Sequence, residues 1–593
     1  MIRVADYIME KLGENGAKHI FMVTGRGILY LSDAVAKSEK LVSVSMHHEQ
    51  ACAYAAAAYS SYNEKLGACL VSTGCAGTNA LTSVLCAWQD GVPMVVVSGQ
   101  NTLRETSRYS GIPIRTWGQQ EADIVALAQP ITKYAVMLTD VNRVVYEVEK
   151  ALYLAQHGKK GPVWIDVPLD VQNMRIEPDE QEHFIPNVDF FELQNADVEY
   201  IKNKLEQAER PIILIGSGIR AAGAQNDLVD FVEKNSIPVV YSASAPDAFS
   251  YDNDLCFGSV GMMACSRSGC FALQNSDFLL VIGNRLSPMT TGPEYDKFAR
   301  MAEIVVVDID EVEHSKNTVK IDKFVKADAK LFLSKMNDVN ILKKSNDWVE
   351  KCRHWKKIFP LCEEDHRNFD KVDLYRLAEE LSFSMPKDCV FLSDAGLEEL
   401  IMPSNIIFSN KRRCIHPSSQ GAMGYALPAA IGAYYSSQKP VVAVIGDGSI
   451  MMNLQELATI AYNNLPIKII VVNNNLYSVI RKRQKDLFRT RTVGTDPENG
   501  VGVPEFSKVA DCFGLKYMHI SNDTELSCMI DNLFKTKEAI ICEIDGIENQ
   551  EYIACSVART ADKKFVQRSL EDQAPFMDRE IFLSEMIIEP IDQ

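Results

Sequence analysis

The sequence has 593 residues, 47% apolar and 24% charged, with a formal net charge of −18. That length exceeds one hydrophobic core and calls for two to four domains of an ordinary globular kind. The acidic balance argues against nucleic acid and against an anionic membrane surface as partners. No run approaches the ~20 uninterrupted apolar residues of a membrane span, and the N-terminal MIRVADYIMEKLGENGAKHI is an amphipathic stretch without the apolar block of a signal peptide. Fifteen cysteines, odd in number and without a CxxC pair, fit reduced core thiols rather than a disulfide frame or zinc site, and the expected location is cytoplasmic.

Strand-like runs alternate with helical stretches in chain order: KHIFMV, ACLVST, PMVVVSG and PVWIDVP; then PIILIGSG, FLLVIG and IVVVDID; then CVFLSDA, PVVAVIGDG and IKIIVVNNN. Runs apolar on both faces, separated by helices, predict parallel sheets covered on both sides. An acidic, aperiodic stretch at 176–195 and a charge-rich one at 343–372 divide the chain. The predicted units are 1–175, 190–342 and 373–555, followed by a tail, 556–593. The fold class is α/β, with three doubly wound parallel-sheet domains.

The first and third units resemble each other. Gly74 and Gly446 follow equivalent strands 372 residues apart, and Pro93 and Pro466 open the next strands 373 residues apart, the pattern of a duplicated domain. The second unit opens with "PIILIGSGIRAAG", in which Gly216 and Gly218 fit either a tight strand-to-helix turn or a nucleotide-binding turn.

Two stretches carry chemistry. In "SMHHEQACAYAAAAYS", Glu49 stands at the start of a helix that is small and apolar on every face, a pattern of complete burial. A carboxylate there is costly unless a specific partner holds it. In "GDGSIMMNLQELATIAYNNLPIKIIVVNNN", Gly446, Asp447 and Gly448 end one buried strand and Asn474 ends the next, with 24 residues between the GDG and Asn473. Phosphate oxygens, the Asp447 carboxylate, the Asn474 amide oxygen and the Leu476 carbonyl make a hard-oxygen set suited to Mg2+.

That spacing resembles the diphosphate motif of the thiamine diphosphate enzymes. The likeness extends over residues 1–555: "HHEQACAYAAAAYS", "STGCAGTN", "GPVWIDVPLDVQ", "GNRLSPMTTG" and "QGAMGYALPAAIGA" are similar to blocks of the acetohydroxyacid (acetolactate) synthase family. "RTVGTDPENGVGVPEFSKVA" and "RSLEDQAPFMDREIF" resemble carboligases of that family associated with modified sugars. The resemblance implies three domains: pyrimidine-binding, central Rossmann-like with possible FAD, and diphosphate-binding. By position it implies that Glu49 bonds the cofactor's aminopyrimidine nitrogen and Met423 bends the cofactor. Asn79, Gly446, Asp447, Gly448, Ser449 and Asn474 contact it; Asp447, Asn474 and Leu476 hold magnesium; Gln120 serves the active site. It also implies a homodimer or homotetramer with active sites between subunits, where the alanine helix would pack closely.

The implied reaction is decarboxylating transfer of the acyl unit of a 2-oxo acid, with pyruvate as the expected donor, to a carbonyl acceptor. His47-His48 precede the glutamate instead of occupying the later loop of a decarboxylase's protonating pair, so packing or capping is their expected role and carboligation is favoured. Three positions depart from a biosynthetic acetolactate synthase. Arg285, near flavin, is kept, but a second arginine aligns with Met289, a tryptophan with Arg483 and a phenylalanine with Gln119. The acceptor pocket then suits a polar or sugar ketone. A fourth departure places Glu398, in "SDAGLEEL", where a histidine donor is expected near diphosphate; it either points away or recognises a substrate hydroxyl. The rival readings are acetolactate synthase proper, a flavin-linked pyruvate oxidase and a non-catalytic subunit of the same fold.

Overall fold

A computed structural model describes residues 1–187, 193–342, 346–409, 411–559 and 564–591. The boundary expected at residue 190 and the start of the charge-rich break at 343–345 lie outside the described residues. Most of the rest of that break is ordered, including an amphipathic helix, Asn346–Ile358.

Three six-stranded sheets organise the chain. The first contains β1 (His19–Met22), β2 (Val42–Ser45), β3 (Gly67–Val71), β4 (Met94–Gln100), β5 (Tyr134–Met137) and β6 (Pro162–Pro168). The second contains β7 (Pro211–Ile215), β8 (Val239–Ser242), β9 (Cys256–Val260), β10 (Phe278–Ile282), β11 (Glu303–Asp308) and β12 (Lys323–Lys326). The third contains β13 (Val390–Ser393), β14 (Arg413–Ile415), β15 (Val441–Gly446), β16 (Lys468–Asn473), β17 (Lys516–Ile520) and β18 (Ile540–Asp545).

Every pairing within these sheets is parallel. The first sheet runs β2-β1-β3-β4-β6-β5 and the third β14-β13-β15-β16-β18-β17, the same order when each is numbered from its own first strand. Gly74 and Gly446 follow or end equivalent strands, and Pro93 and Pro466 precede equivalent ones, so the duplication read in the sequence has its counterpart in topology. The middle sheet runs β9-β8-β7-β10-β11-β12, the strand order of a dinucleotide-binding fold with its switch point between β7 and β10.

Helix α1 (Glu49–Asn63) buries every residue from Ala51 to Ser60. Its neighbours include α2 (Cys75–Asp90) in the first unit and α4 (Ala426–Ser437) in the third; between these in sequence lies α3 (Leu397–Asn405). The alanines therefore have a close partner within the same chain. Contact is so close that a Cβ at Gly432 would stand 1.9 Å from the carbonyl oxygen of Ala55. Gly432→Ala is expected to part the two helices and cost about 1–3 kcal/mol as overpacking, read as a lowered denaturant midpoint.

The tail lies on the middle unit and on the helix Asn346–Ile358. Glu571 accepts hydrogen bonds from Gln274 (2.7 Å) and Arg300 (2.7 Å), and Glu585 from Lys351 (2.7 Å) and Trp355 (2.9 Å). All fifteen cysteines are free and eleven are buried. Among the described residues, no helix is long and apolar enough to cross a membrane.

Candidate active site

The turns at the strand ends of the third sheet form the first half of the site. Gly446 pairs with Val472 across β15 and β16, so Asp447 and Asn474 leave adjacent strands on the same side of the sheet. The Asp447 carboxylate accepts the N–H of Gly448 (2.6 Å) and Asn475 (2.5 Å). Burial pushes it up to about 6 even though the N–H groups of residues 474–476 favour its charge. Asn474 accepts from the Leu476 N–H (3.2 Å) and donates to Ser478 (2.7 Å). Carboxylate, amide oxygen and the Leu476 carbonyl thus stand on two adjacent loops joined by the Asn475–Asp447 bond, with the donor chemistry of a magnesium site. Gly448 is glycine for a packing reason: a Cβ there would stand 2.1 Å from the Tyr477 ring.

Asp394, which the sequence reading passed over, organises this half. It follows β13, is fully buried, and accepts the N–H groups of Ala395 (2.8 Å), Gly424 (3.0 Å) and Ala426 (2.9 Å) and the Ser449 hydroxyl (2.6 Å). Burial pushes it up to about 6. Three turns are tied together by this one carboxylate: SDAG, GAMG and GDGS. Ser449 also accepts the Gly424 N–H (3.0 Å), so its hydroxyl is engaged within the fold. Met423 sits half-buried in the GAMG turn, between Gly421 and Gly424, which take the left-handed φ values of 60° and 79°. The available signal for Asp394 was an aspartate at a strand end with a glycine close behind it, Asp394-Ala395-Gly396, comparable with Asp447-Gly448 in the GDG turn.

Glu398 does not point away. It is 5% exposed, in the first turn of α3, and a Cβ at Gly446 would meet its carboxylate oxygens at 3.3 and 3.4 Å. Burial, reinforced by Asp447 and Asp394, pushes it up to about 8. Its carboxyl group faces the turn, and this burial favours its protonated form.

The second half belongs to the first sheet. Glu49 begins α1, half-buried, and accepts a hydrogen bond from Asn79 (2.9 Å). Gln120 has φ 61°, and its carbonyl lies so close to Gly74 that a Cβ there would stand 1.8 Å away. Gln119 accepts from Arg26 (2.7 Å). His47 is committed elsewhere: its N–H reaches Glu456 (3.1 Å) and its ring is hydrogen-bonded with Thr459 (3.0 Å). His48 precedes the helix without a side-chain cap. Among the described residues, no hydrogen bond or ion pair joins Glu49 to residues 446–449 or 474–476.

A cavity of about 990 Å³ opens between all three sheets, lined by Gly216, Gly218, Arg285 and Met289 of the middle unit, with Asp90 and His416 from the others. His416 is buried and donates to the Ala243 carbonyl (2.9 Å), bridging the third and middle units. The glycines here serve packing: Cβ atoms at Gly216 and Gly218 would meet Gly283 at 2.3 and 2.6 Å. Their N–H groups already donate to Ile282 (3.2 Å) and Gly283 (3.0 Å). Arg285 pairs with Glu313 (3.7 Å), and Met289 is 46% exposed. Arg483 lies exposed on α5 (Ser478–Phe488), a helix with no buried residue. Gln119, Met289 and Arg483 thus stand on three different units, and of the three only Met289 lines this cavity.

Comparison with known proteins agrees with this arrangement. The thiamine pyrophosphate enzyme N-terminal TPP binding domain matches residues 2–127, the central domain 198–336 and the C-terminal TPP binding domain 394–544. An acetolactate synthase large subunit of Parasynechococcus marenigrum is 31% identical over 535 residues, covering 88% of this chain and 83% of the relative. That of Corynebacterium glutamicum is 30% identical over 542 residues with the same shares, and that of Porphyra purpurea 28% over 564 residues, 92% of each. The chain belongs to the acetolactate synthase-like thiamine pyrophosphate enzymes.

Proposed function

We propose that the protein is a thiamine diphosphate- and magnesium-dependent carboligase that takes the acyl unit of pyruvate, releases CO2 and joins that unit to a polar carbonyl acceptor. The observation that supports this reading is the register of Gly446 with Val472, by which the turns carrying Asp447 and Asn474–Leu476 leave adjacent parallel strands at the same end of the sheet. When bound, thiamine diphosphate supplies the nucleophilic carbon and takes up the electrons released as CO2 leaves.

The chain's own part is to hold and orient. Asp447, Asn474 and the Leu476 carbonyl would hold magnesium, whose charge would offset that of the diphosphate. Gly446, Gly448 and Ser449 shape the phosphate turn, and Met423 sets the cofactor's bend from a turn fixed by Asp394. Glu49, steadied by Asn79, holds a proton at the pyrimidine nitrogen. Since Glu49 and the Asp447 loop are on different duplicated sheets and share no bond, the complete site is assigned to two copies of the chain, as a homodimer or homotetramer. The three-sheet cavity is large enough for FAD; Arg285 is at its rim, and Gly216 and Gly218 contribute shape rather than N–H donors. Flavin absorbance retained through gel filtration tests that assignment.

Glu398 supplies a neutral donor beside the diphosphate turn, which removes the conflict between a carboxylate and the phosphates. Magnesium needs Asp447 ionised, above about 6, and the phosphates need Glu398 protonated, below about 8. Cofactor affinity is therefore expected to peak between those values, and Glu398→Gln to flatten the alkaline fall, as read by cofactor titration across pH. In the metal-free fold both pKa values are raised, so stability contributed by these neutral acids is lost as pH rises through about 6 and then about 8.

The relatives favour a second reading, acetolactate synthase proper, in which pyruvate is also the acceptor. Product identification with pyruvate alone and with a panel of hydroxylated ketones and aldehydes separates the two. A cross-product with a hydroxylated acceptor supports the proposed acceptor class. Acetolactate formed at a rate indifferent to every added acceptor overturns it.

A further inference from the structure

The core of the first sheet contains an ionisable group that neither the cofactor nor the metal explains. Asp166, on β6, is 1% exposed and faces Ser98, its register partner on β4. A carboxylate in a sheet core costs several kcal/mol unless it is well partnered, and a pair of apolar residues would serve the fold better. No cation touches it among the described residues; burial pushes it up to about 7. Its partners are all neutral donors. The Ser98 hydroxyl donates at 2.6 Å and the Gln100 amide at 3.3 Å, while the Trp164 indole N–H holds Ser98 from behind at 2.8 Å.

From Gln100 the bonding runs outward. The same amide nitrogen donates to the Ala122 carbonyl (3.1 Å), and the Gln100 side-chain oxygen accepts the Asn101 N–H (3.0 Å). The Asn101 side chain then donates to the Gln119 carbonyl (3.0 Å). Gln100 and Asn101 are both buried, so the path crosses little water. It ends on both sides of Gln120, the residue held in the left-handed region at φ 61°. A non-glycine residue keeps that conformation only when its surroundings impose it. Here the constraint comes from Gly74 beneath the Gln120 carbonyl and from the two bonded carbonyls at 119 and 122.

We propose that Asp166 is a positioning residue for the substrate loop, acting through Gln100 and Asn101 to fix the backbone on either side of Gln120 and thereby aim Gln119 and Gln120 at the donor and acceptor. This rests on the reading of Gln120 as a substrate-facing residue. The geometry also explains why an acid stands at 166. Gln100 points its amide nitrogen at residue 166, so that residue must accept; Ser98 points its hydroxyl there too, so it must accept twice. A carboxylate does both in one side chain, whereas asparagine presents a donor to one of two donors.

The test compares Gln120→Ala, Asp166→Asn, Asn101→Ala and the Asp166→Asn/Asn101→Ala double variant of the full-length protein, measuring KM for pyruvate and acceptor, kcat, the dissociation constant of thiamine diphosphate with magnesium, and the thermal midpoint. The expected result is a rise in KM of about tenfold for Asp166→Asn and for Asn101→Ala, matching the loss of a charge-assisted or buried hydrogen bond. Cofactor affinity should stay within about twofold, and the double variant should be no worse than the more severe single one, because both act through one path. If Gln120→Ala changes no kinetic parameter, the substrate-facing reading of the loop fails. If Gln120→Ala raises KM while Asp166→Asn only lowers the thermal midpoint, or if the two relay variants are simply additive, the relay is overturned. Asn101→Ala removes the bond to the Gln119 carbonyl and leaves the Asp166 carboxylate and its Ser98 partner intact, so it stays informative if Asp166→Asn folds poorly.

Discussion

Glu49→Gln is expected to lower the rate of carbon–carbon bond formation by about 10²–10⁴-fold, the range lost when a positioned proton-transfer group is removed. The substitution keeps the side chain's size and its acceptor oxygen for Asn79, 2.9 Å away, so the fold and the start of α1 should be unchanged. What it removes is the ability to share a proton with the cofactor. The loss should therefore fall on kcat, with cofactor affinity changed little, which separates it from a binding defect. Full activity in this variant would refute the role given to Glu49.

Asp447→Asn is the second large effect, and it should fall on binding. In the proposed metal site this one residue would supply the protein's charge, since Asn474 and the Leu476 carbonyl are neutral donors. Magnesium-dependent affinity for thiamine diphosphate is expected to weaken by more than about 100-fold, since even outer-shell losses at metal sites cost 10–100-fold. Titration of cofactor with and without magnesium reads it directly: the native protein should respond to the metal, and the variant should not. The two variants also test how the site is assembled. If each complete site takes Glu49 from one copy and Asp447 from another, mixing the two inactive proteins under conditions that exchange subunits should restore part of the activity. Persistent inactivity of the mixture, with exchange demonstrated, would place both halves in one chain.

Much of this architecture could be read from the sequence because parallel sheets buried on both faces leave continuous apolar runs, and a duplication leaves equal spacings. Gly74 with Gly446 and Pro93 with Pro466 fall at matching places in two sheets of identical strand order. The GDG-to-Asn spacing was legible for the same reason: it spans one strand–helix–strand unit, a local object. Long-range facts were not legible. The alanine run announced a buried helix, but its partner α4 begins 377 residues after Glu49, and only the approach of Gly432 to Ala55 shows the pairing. Glu398 could not be oriented, because its direction depends on the first turn of α3 against β15. Asp394 was overlooked since its role is to bond three turns that are distant in sequence. The glycines at 216 and 218 fitted either a tight turn or a nucleotide-binding turn, and their close neighbour Gly283, at the exit of strand β10, was not legible in the sequence. Asp166 stood in plain view within "PVWIDVP", yet only the register with Ser98 reveals that it is an anchor.

The most direct test of the central claim follows pyruvate labelled with carbon-13 at its keto and methyl carbons, incubated with the protein, thiamine diphosphate, magnesium and a hydroxylated ketone or aldehyde. The account predicts unlabelled CO2 and a product in which the labelled keto carbon of pyruvate is joined to the former carbonyl carbon of a second molecule, visible as added mass and, with an acceptor carrying carbon-13 at its carbonyl, as a new one-bond carbon coupling in the NMR spectrum. Labelled acetaldehyde or acetate as the sole product, with no new carbon–carbon bond, would contradict it.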